Sequence, residues 1–120
     1  LYNNRGKAYI KLGKLEQGLT DFSEAINRNP NYARAYENRA VVYVAQSKLE
    51  EAVKDYRAVE KLSEKPDDQL LTNIADLYFK LNKYPLALEY YDKLVERGVK
   101  EKNVFLKRGL ILTETGEFEK

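Results

Sequence analysis

The stretch "YENRAVVYV", which runs from Tyr36 to Val44, decides the fold because it has an earlier counterpart, "YNNRGKAYI", at residues 2–10. The two stretches lie 34 residues apart and share two tyrosines, the pair Asn-Arg and a small residue in one register. The register continues with steps of 35 and 34 residues, and the small residue of each copy is Gly6, Ala40, Ala75 or Gly109. A large, mostly aromatic residue lies four positions before and three positions after each small residue. Self-similarity at a fixed period indicates a repeat architecture.

A second pattern follows each of the first three copies, with a small residue, an aromatic residue four positions later and an apolar residue three positions beyond that. Spacings of three and four residues are helical, so each copy predicts two helices joined by a turn. Pro30 stops one helix, Pro85 suits the start of another, and the aspartates of "KPDD" are candidate N-caps. The predicted helices are 1–12, 16–29, 33–46, 50–63, 68–81, 85–97 and 101–115, with an eighth beginning near 118.

This pattern resembles the tetratricopeptide repeat (TPR), a 34-residue unit of two helices. In the first repeat the matching residues are Tyr2, Gly6, Tyr9, Gly18, Phe22, Ala25 and Pro30. The resemblance covers the whole chain and implies an all-α, right-handed solenoid of antiparallel helix pairs, with about three and a half repeats. The repeats are 1–32, 33–67, 68–101 and a truncated 102–120, which we expect to form a single TPR domain. Because the chain contains no methionine, we expect it to be a fragment of a longer protein.

One slot departs from the TPR pattern, which normally has Leu or Ile at the position before the small residue. Here the slot holds Arg5, Arg39 and Arg108, and only Ile74 conforms. An arginine stem can cover apolar surface while its guanidinium reaches water or a neighbouring carboxylate. The sequence assigns these arginines no further role.

Composition argues against several classes of function. The chain has no Cys and no His, which removes thiol chemistry, the commonest general base and the commonest zinc ligand. It also has no Gly-rich phosphate loop, so we expect no enzyme activity, no cofactor and no metal. A net charge of +2, from 21 basic and 19 acidic residues, argues against nucleic acid as the ligand and against an RNA-binding helical repeat. The apolar runs are too short for membrane insertion, and no feature indicates a compartment.

In the TPR family the first helix of each pair lines a concave groove that binds peptides. The resemblance therefore places groove candidates at Asn4, Lys7, Lys11, Arg34, Asn38, Val41, Val44, Asn73, Asp76, Phe79 and Lys107. Asn4, Asn38 and Asn73 share one slot, and such a ladder of amides can pair with the backbone of an extended peptide. The alternative is that each Asn only caps or hydrates its own helix. Val41, Val44 and Phe79 form an expected apolar patch, unless the valines pack against the preceding repeat.

These features favour a scaffold for protein–protein interaction that binds a peptide segment carrying acidic and apolar side chains. One TPR subclass binds the C-terminal carboxylates of chaperones through cations on the first helix of its third repeat. Here that helix offers the neutral Gln69 and Asn73, so we do not expect this clamp. The alternative function is a structural spacer, or a segment that self-associates through its uncapped ends, with no ligand in the groove.

Overall fold

The computed structural model describes residues 1–115, and within them it contains seven α-helices and no strand. The helices are α1 (Tyr2–Lys11), α2 (Leu15–Arg28), α3 (Ala33–Ala45), α4 (Leu49–Leu62), α5 (Asp68–Lys80), α6 (Tyr84–Glu96) and α7 (Lys102–Thr115). Each end lies within one residue of its predicted position, so the seven predicted helices are confirmed. The predicted eighth helix lies outside the described residues. None of the seven helices is long and apolar enough to cross a membrane.

The turns between paired helices explain why the first helices stop where they do. Gly13, Ser47 and Asn82 occupy equivalent slots and have φ angles of 78°, 62° and 62°. In each turn the next residue, always a lysine, donates its backbone N–H back into the helix; Lys14 N lies 2.9 Å from Tyr9 O. This is the Schellman pattern that closes a helix C-terminus with a left-handed residue. The predicted cap in "KPDD" is also present, since Asp67 Oδ1 accepts the Leu70 N–H at 2.8 Å.

The helices group into two compact units, residues 1–65 and 66–120, here called the N-terminal unit and the C-terminal unit. In the N-terminal unit α1 packs on α2, α3 packs on α4, and α2 also packs on α3. Small residues permit these close contacts: a Cβ on Gly6 would lie 2.7 Å from Phe22 Cε1, and one on Gly18 would overlap Ile10. Ala40 and Ala52, in the same two slots of the second repeat, are fully buried.

In the C-terminal unit α5 packs on α6, and α6 packs on α7. Ala75 and Ala87 are fully buried in the two small-residue slots, and the core around them includes Tyr91 and Leu94. The prediction that all 120 residues form a single domain stays a prediction.

Arg5 and Arg39, to which the sequence assigned no role, form ion pairs between the two helices of their repeats. Arg5 makes two hydrogen bonds of 2.8 Å to the carboxylate of Asp21, and Arg39 makes bonds of 2.8 and 2.7 Å to Asp55. Both aspartates are buried, so each is neutralised inside its helix pair. In both repeats the two partners are 16 residues apart.

The third repeat replaces this ion pair with apolar residues. Ile74 and Tyr90 stand in the slots of the arginine and the aspartate, and both are buried. Arg108 of α7 pairs with a residue of the preceding helix instead, with its Nε 2.5 Å from Asp92 Oδ1. The arginines at the slot that departs from the TPR pattern therefore form ion pairs between helices.

Candidate functional site

The first helices of the N-terminal unit present an exposed stripe of the predicted residues. Asn4, Lys7 and Lys11 lie along one side of α1, and Arg34 and Val41 lie along one side of α3. Residues spaced by three, four or seven positions share one face of a helix, so the structure brings each set together. Val41 is 54% exposed although it is apolar, so it does not pack into the core. Val44 is half-buried.

The three ladder asparagines differ in their surroundings. Asn4 is exposed and makes no hydrogen bond to another side chain of residues 1–113. Asn38 donates its amide Nδ2 to Oδ1 of Asn3 on α1, at 2.9 Å. Asn73 accepts from Gln69 of its own helix, at 3.1 Å. One of the three amides thus bonds to a side chain of its own helix and another bonds across to α1, so the three members of the slot are not equivalent.

Asn3 is a buried polar residue that the sequence analysis did not select. It is 4% exposed and its partner Asn38 is half-buried, so the bond between them crosses from α1 to α3 below the surface. An amide carries two N–H donors and a carbonyl acceptor. With one N–H committed to Asn3, the carbonyl oxygen and the other N–H of Asn38 have no side-chain partner among the described residues. The signal in the sequence was the doubled "NN" at residues 3–4.

Asp76 lies at the centre of a cluster in the C-terminal unit. Its Oδ1 accepts the hydroxyl of Tyr91 at 2.5 Å and the ammonium of Lys107 at 3.1 Å. Tyr91 is fully buried in α6, and burial together with the bond to Asp76 raises the pKa of its hydroxyl. The Lys107 ammonium also lies 5.7 Å from the centroid of the half-buried Phe79 ring. The structure thus brings together three of the predicted site residues and adds Tyr91.

The predicted cations fall into two groups. Lys7, Lys11 and Arg34 are exposed and make no ion pair with any other residue in the described part of the chain. Lys107 is paired with Asp76, and both side chains are about one-third exposed, at 28% and 34%. Among the predicted cations, the unpaired positive charge therefore lies on the stripe of the N-terminal unit. In the C-terminal unit the charge of Lys107 is neutralised by Asp76.

Two exposed leucines of α7 were not among the selected candidates. Leu106 and Leu110 are 57% and 47% exposed and flank Lys107 in the sequence. They add apolar surface on the helix that carries Lys107. Within the described residues no group of acidic side chains is arranged to hold a metal ion.

Comparisons with known proteins agree with the repeat pattern. A family model described as tetratricopeptide repeat matches residues 3–68 and 72–120. The human DnaJ homolog subfamily C member 7 is 33% identical over 115 residues, which is 92% of this chain and 23% of that protein. The chain thus spans about a quarter of that relative's length.

Two solved structures have the same fold. The structure of YrrB, described as a TPR protein with an unusual peptide-binding site, superposes with a TM-score of 0.82 at 22% identity and covers 98% of this chain and 60% of that one. The second TPR domain of the human RPAP3 protein, in complex with the HSP70 peptide SGPTIEEVD, gives a TM-score of 0.73 at 22% identity. That match covers 92% of this chain and 91% of the RPAP3 chain.

Proposed function

The chain belongs to the tetratricopeptide repeat family, and from this premise we propose that it is a scaffold that binds a peptide segment of a partner protein. The first-helix faces of its repeats bind the segment. The observation that supports the proposal is the stripe of the N-terminal unit, where Asn4, Lys7, Lys11 and Arg34 are exposed without a side-chain partner among the described residues and Val41 is an exposed apolar residue. Exposed apolar residues beside unpaired cations are what a ligand with both apolar and acidic side chains requires.

The stripe and the half-buried Asn38 beside it on α3 each have a role in this proposal. The free carbonyl oxygen and N–H of Asn38 pair with the backbone of an extended segment, whatever its side chains are. Lys7 and Lys11 attract acidic side chains, and Val41 contacts an apolar one. Asn4 is exposed and supplies a second amide on the same face.

The comparisons support peptides as the class of ligand. The RPAP3 domain is described in complex with a peptide, and YrrB is described with a peptide-binding site. Chaperone C-termini are not the ligand that we propose for this chain, because Gln69 and Asn73 supply no cation. Lys107, the remaining candidate, is already paired with Asp76. A terminal carboxylate would lack the charge-assisted hydrogen bonds that such a clamp uses.

The test selects peptides from a phage-displayed random 12-residue library on the purified chain and measures the affinity of the selected peptides by isothermal titration calorimetry. The double variant Lys7→Ala/Lys11→Ala is expected to weaken binding about tenfold, or about 1.4 kcal/mol. The matched control is Lys54→Ala/Lys61→Ala, which removes the same charge from exposed positions of α4 and is expected to change affinity less than about twofold.

Asn38→Ala tests the amide separately and is expected to weaken peptides of every selected sequence by a similar factor, because the backbone contact does not depend on side chains. Equal losses in the Lys7/Lys11 and Lys54/Lys61 variants would show that binding is not on the stripe. If the wild-type chain enriches no peptide over a blank surface, the spacer function replaces the scaffold.

A further inference from the structure

We propose that Asp76 determines ligand specificity in the C-terminal unit by holding Lys107 in an ion pair, so that the surface around Lys107 binds neutral side chains and does not attract acidic ones. The inference rests on the proposed function, since it concerns which segment the scaffold accepts. It reverses the role that the sequence suggested for Lys107, which was to attract acidic side chains.

The geometry fixes the carboxylate of Asp76 from two sides. The hydroxyl of Tyr91 on α6 donates to Oδ1 at 2.5 Å, and the ammonium of Lys107 on α7 lies 3.1 Å from the same oxygen. Because Tyr91 is fully buried, its hydroxyl has no solvent to turn to and the hydrogen bond holds Asp76 in place. The other oxygen of Asp76, Oδ2, makes no hydrogen bond within the described residues.

The charges of this pair cancel for an approaching ligand. A carboxylate that comes within hydrogen-bonding distance of Lys107 also comes within a few ångströms of Asp76, so attraction by one charge is offset by repulsion from the other. A neutral side chain meets no such opposition. It finds the half-buried ring of Phe79, with the exposed Leu106 and Leu110 on α7. The free Oδ2 accepts an N–H or a hydroxyl from the ligand.

The N-terminal unit supplies the contrast. Lys7 and Lys11 have no carboxylate partner among the described residues, so they remain available to acidic side chains. The difference between Lys107 and these two lysines lies in whether a carboxylate is near the ammonium group. A carboxylate at residue 76 therefore acts as a specificity determinant as well as a tie between helices.

The experiment selects peptides from the same random 12-residue library on the wild-type chain and on Asp76→Asn. The variant keeps the side-chain shape and an oxygen that can accept the Tyr91 hydroxyl, and it releases Lys107. The measurement is the fraction of Asp and Glu in the selected peptides, followed by titration of one acidic peptide and its Gln-substituted counterpart. We expect the ratio of their affinities to shift about fivefold towards the acidic peptide in Asp76→Asn.

Two further variants separate specificity from stability. Asp92→Asn removes the same charge from the same unit and releases Arg108 in place of Lys107, so it is the matched control and is expected to leave the ratio unchanged. Lys107→Gln leaves Asp76 unpaired and is expected to enrich Lys and Arg in the selected peptides. This reciprocal variant also tests the inference if Asp76→Asn does not fold, which circular dichroism will show.

The outcomes distinguish the inference from the function on which it rests. The inference is overturned if the wild-type chain selects peptides and the variants at Asp76 and Lys107 leave the charge of those peptides unchanged. It is also overturned if Asp92→Asn shifts the ratio equally, because the effect would then come from net charge. If no form of the chain enriches any peptide over a blank surface, the proposed function fails and the inference fails with it.

Discussion

The ion pair between Arg39 and Asp55 gives the sharpest test of how the helix pairs are stabilised. Asp55 has a side chain that is 5% exposed, and Arg39 is 20% exposed and bonds to both carboxylate oxygens. Arg39 Nη1 also donates to Ser23 Oγ at 3.1 Å, so one side chain joins α2, α3 and α4. The change Arg39→Met keeps an apolar stem of similar length and leaves the carboxylate of Asp55 buried without its partner.

The expected loss of stability follows from the burial of the Asp55 carboxylate that remains. Removing one partner of a buried ion pair costs about 3–5 kcal/mol, because the other charge stays desolvated. Since Arg39 lies partly in water, we expect the lower end of this range, about 3 kcal/mol. A chain of this size has a total stability of roughly 6–18 kcal/mol, so the loss is a large share of it. With a urea m-value of about 1–3 kcal/mol/M, the unfolding midpoint should fall by more than about 1 M.

The third repeat supplies the control for this prediction. Ile74 and Tyr90 fill the slots of Arg39 and Asp55 there and are 0% and 3% exposed. The double variant Arg39→Ile/Asp55→Tyr copies that arrangement and should recover most of the loss, to within about 1 kcal/mol of the wild type. Urea unfolding followed by circular dichroism at 222 nm measures all three proteins. A loss below about 1 kcal/mol in Arg39→Met, or a double variant as unstable as the single one, would refute the reasoning.

Four other changes can be tested by unfolding measurements, three of them in urea and the fourth by heating. Gly109→Ala should raise the free energy of unfolding by about 1 kcal/mol, because a Cβ there meets nothing within 4 Å. Gly6→Ala, in the same slot of the first repeat, should lower it, because its Cβ would lie 2.7 Å from an aromatic ring. Ser47→Gly should raise it by about 0.5–1 kcal/mol, since Ser47 has a φ of 62° and glycine tolerates that region. Hydrogen bonds from Arg5 lower the pKa of Asp21, so Asp21 contributes stability above about pH 4 that is lost as pH falls through its folded pKa. Asp21→Asn should therefore flatten the fall in thermal midpoint between about pH 5 and pH 2, and an unchanged slope would count against the ion pair.

The helix boundaries could be predicted from sequence because most of them are encoded locally and the repeat supplies the rest. The small residues set the contact between paired helices. In α1, α3 and α5 the helix ends two positions after its last aromatic slot, and the left-handed turn residue lies four positions after that slot. Gly13 and Asn82 are the usual residues for a left-handed turn, and the register of the repeat extends the same turn to Ser47, which local propensity would not choose. Repetition thus corrects a position that is ambiguous by itself.

The arginine ties could not be predicted from one slot, because each partner lies 16 residues away on another helix. A signal for them is nevertheless present within the chain. Where the slot holds Arg5 or Arg39, the residue 16 positions later is Asp, and where it holds Ile74, that residue is Tyr90. When two slots carry opposite charges in some repeats and are both uncharged in another, their side chains are expected to be in contact. Comparison of both slots across the repeats would have found the pairs.

The candidate site shows why a list of surface residues is a poor guide to its charge. The predicted groove residues include four cations (Lys7, Lys11, Arg34 and Lys107) and one acidic residue (Asp76), which suggests a basic surface throughout. The count treats each charge as available, whereas Lys107 and Asp76 lie 3.1 Å apart and neutralise each other. Pairing of this kind depends on side-chain conformations across helices whose residues are 31 positions apart, which periodicity does not encode. Of these four cations, only Lys7, Lys11 and Arg34 have no ion-pair partner among the described residues, so the attraction for acidic ligands rests on them.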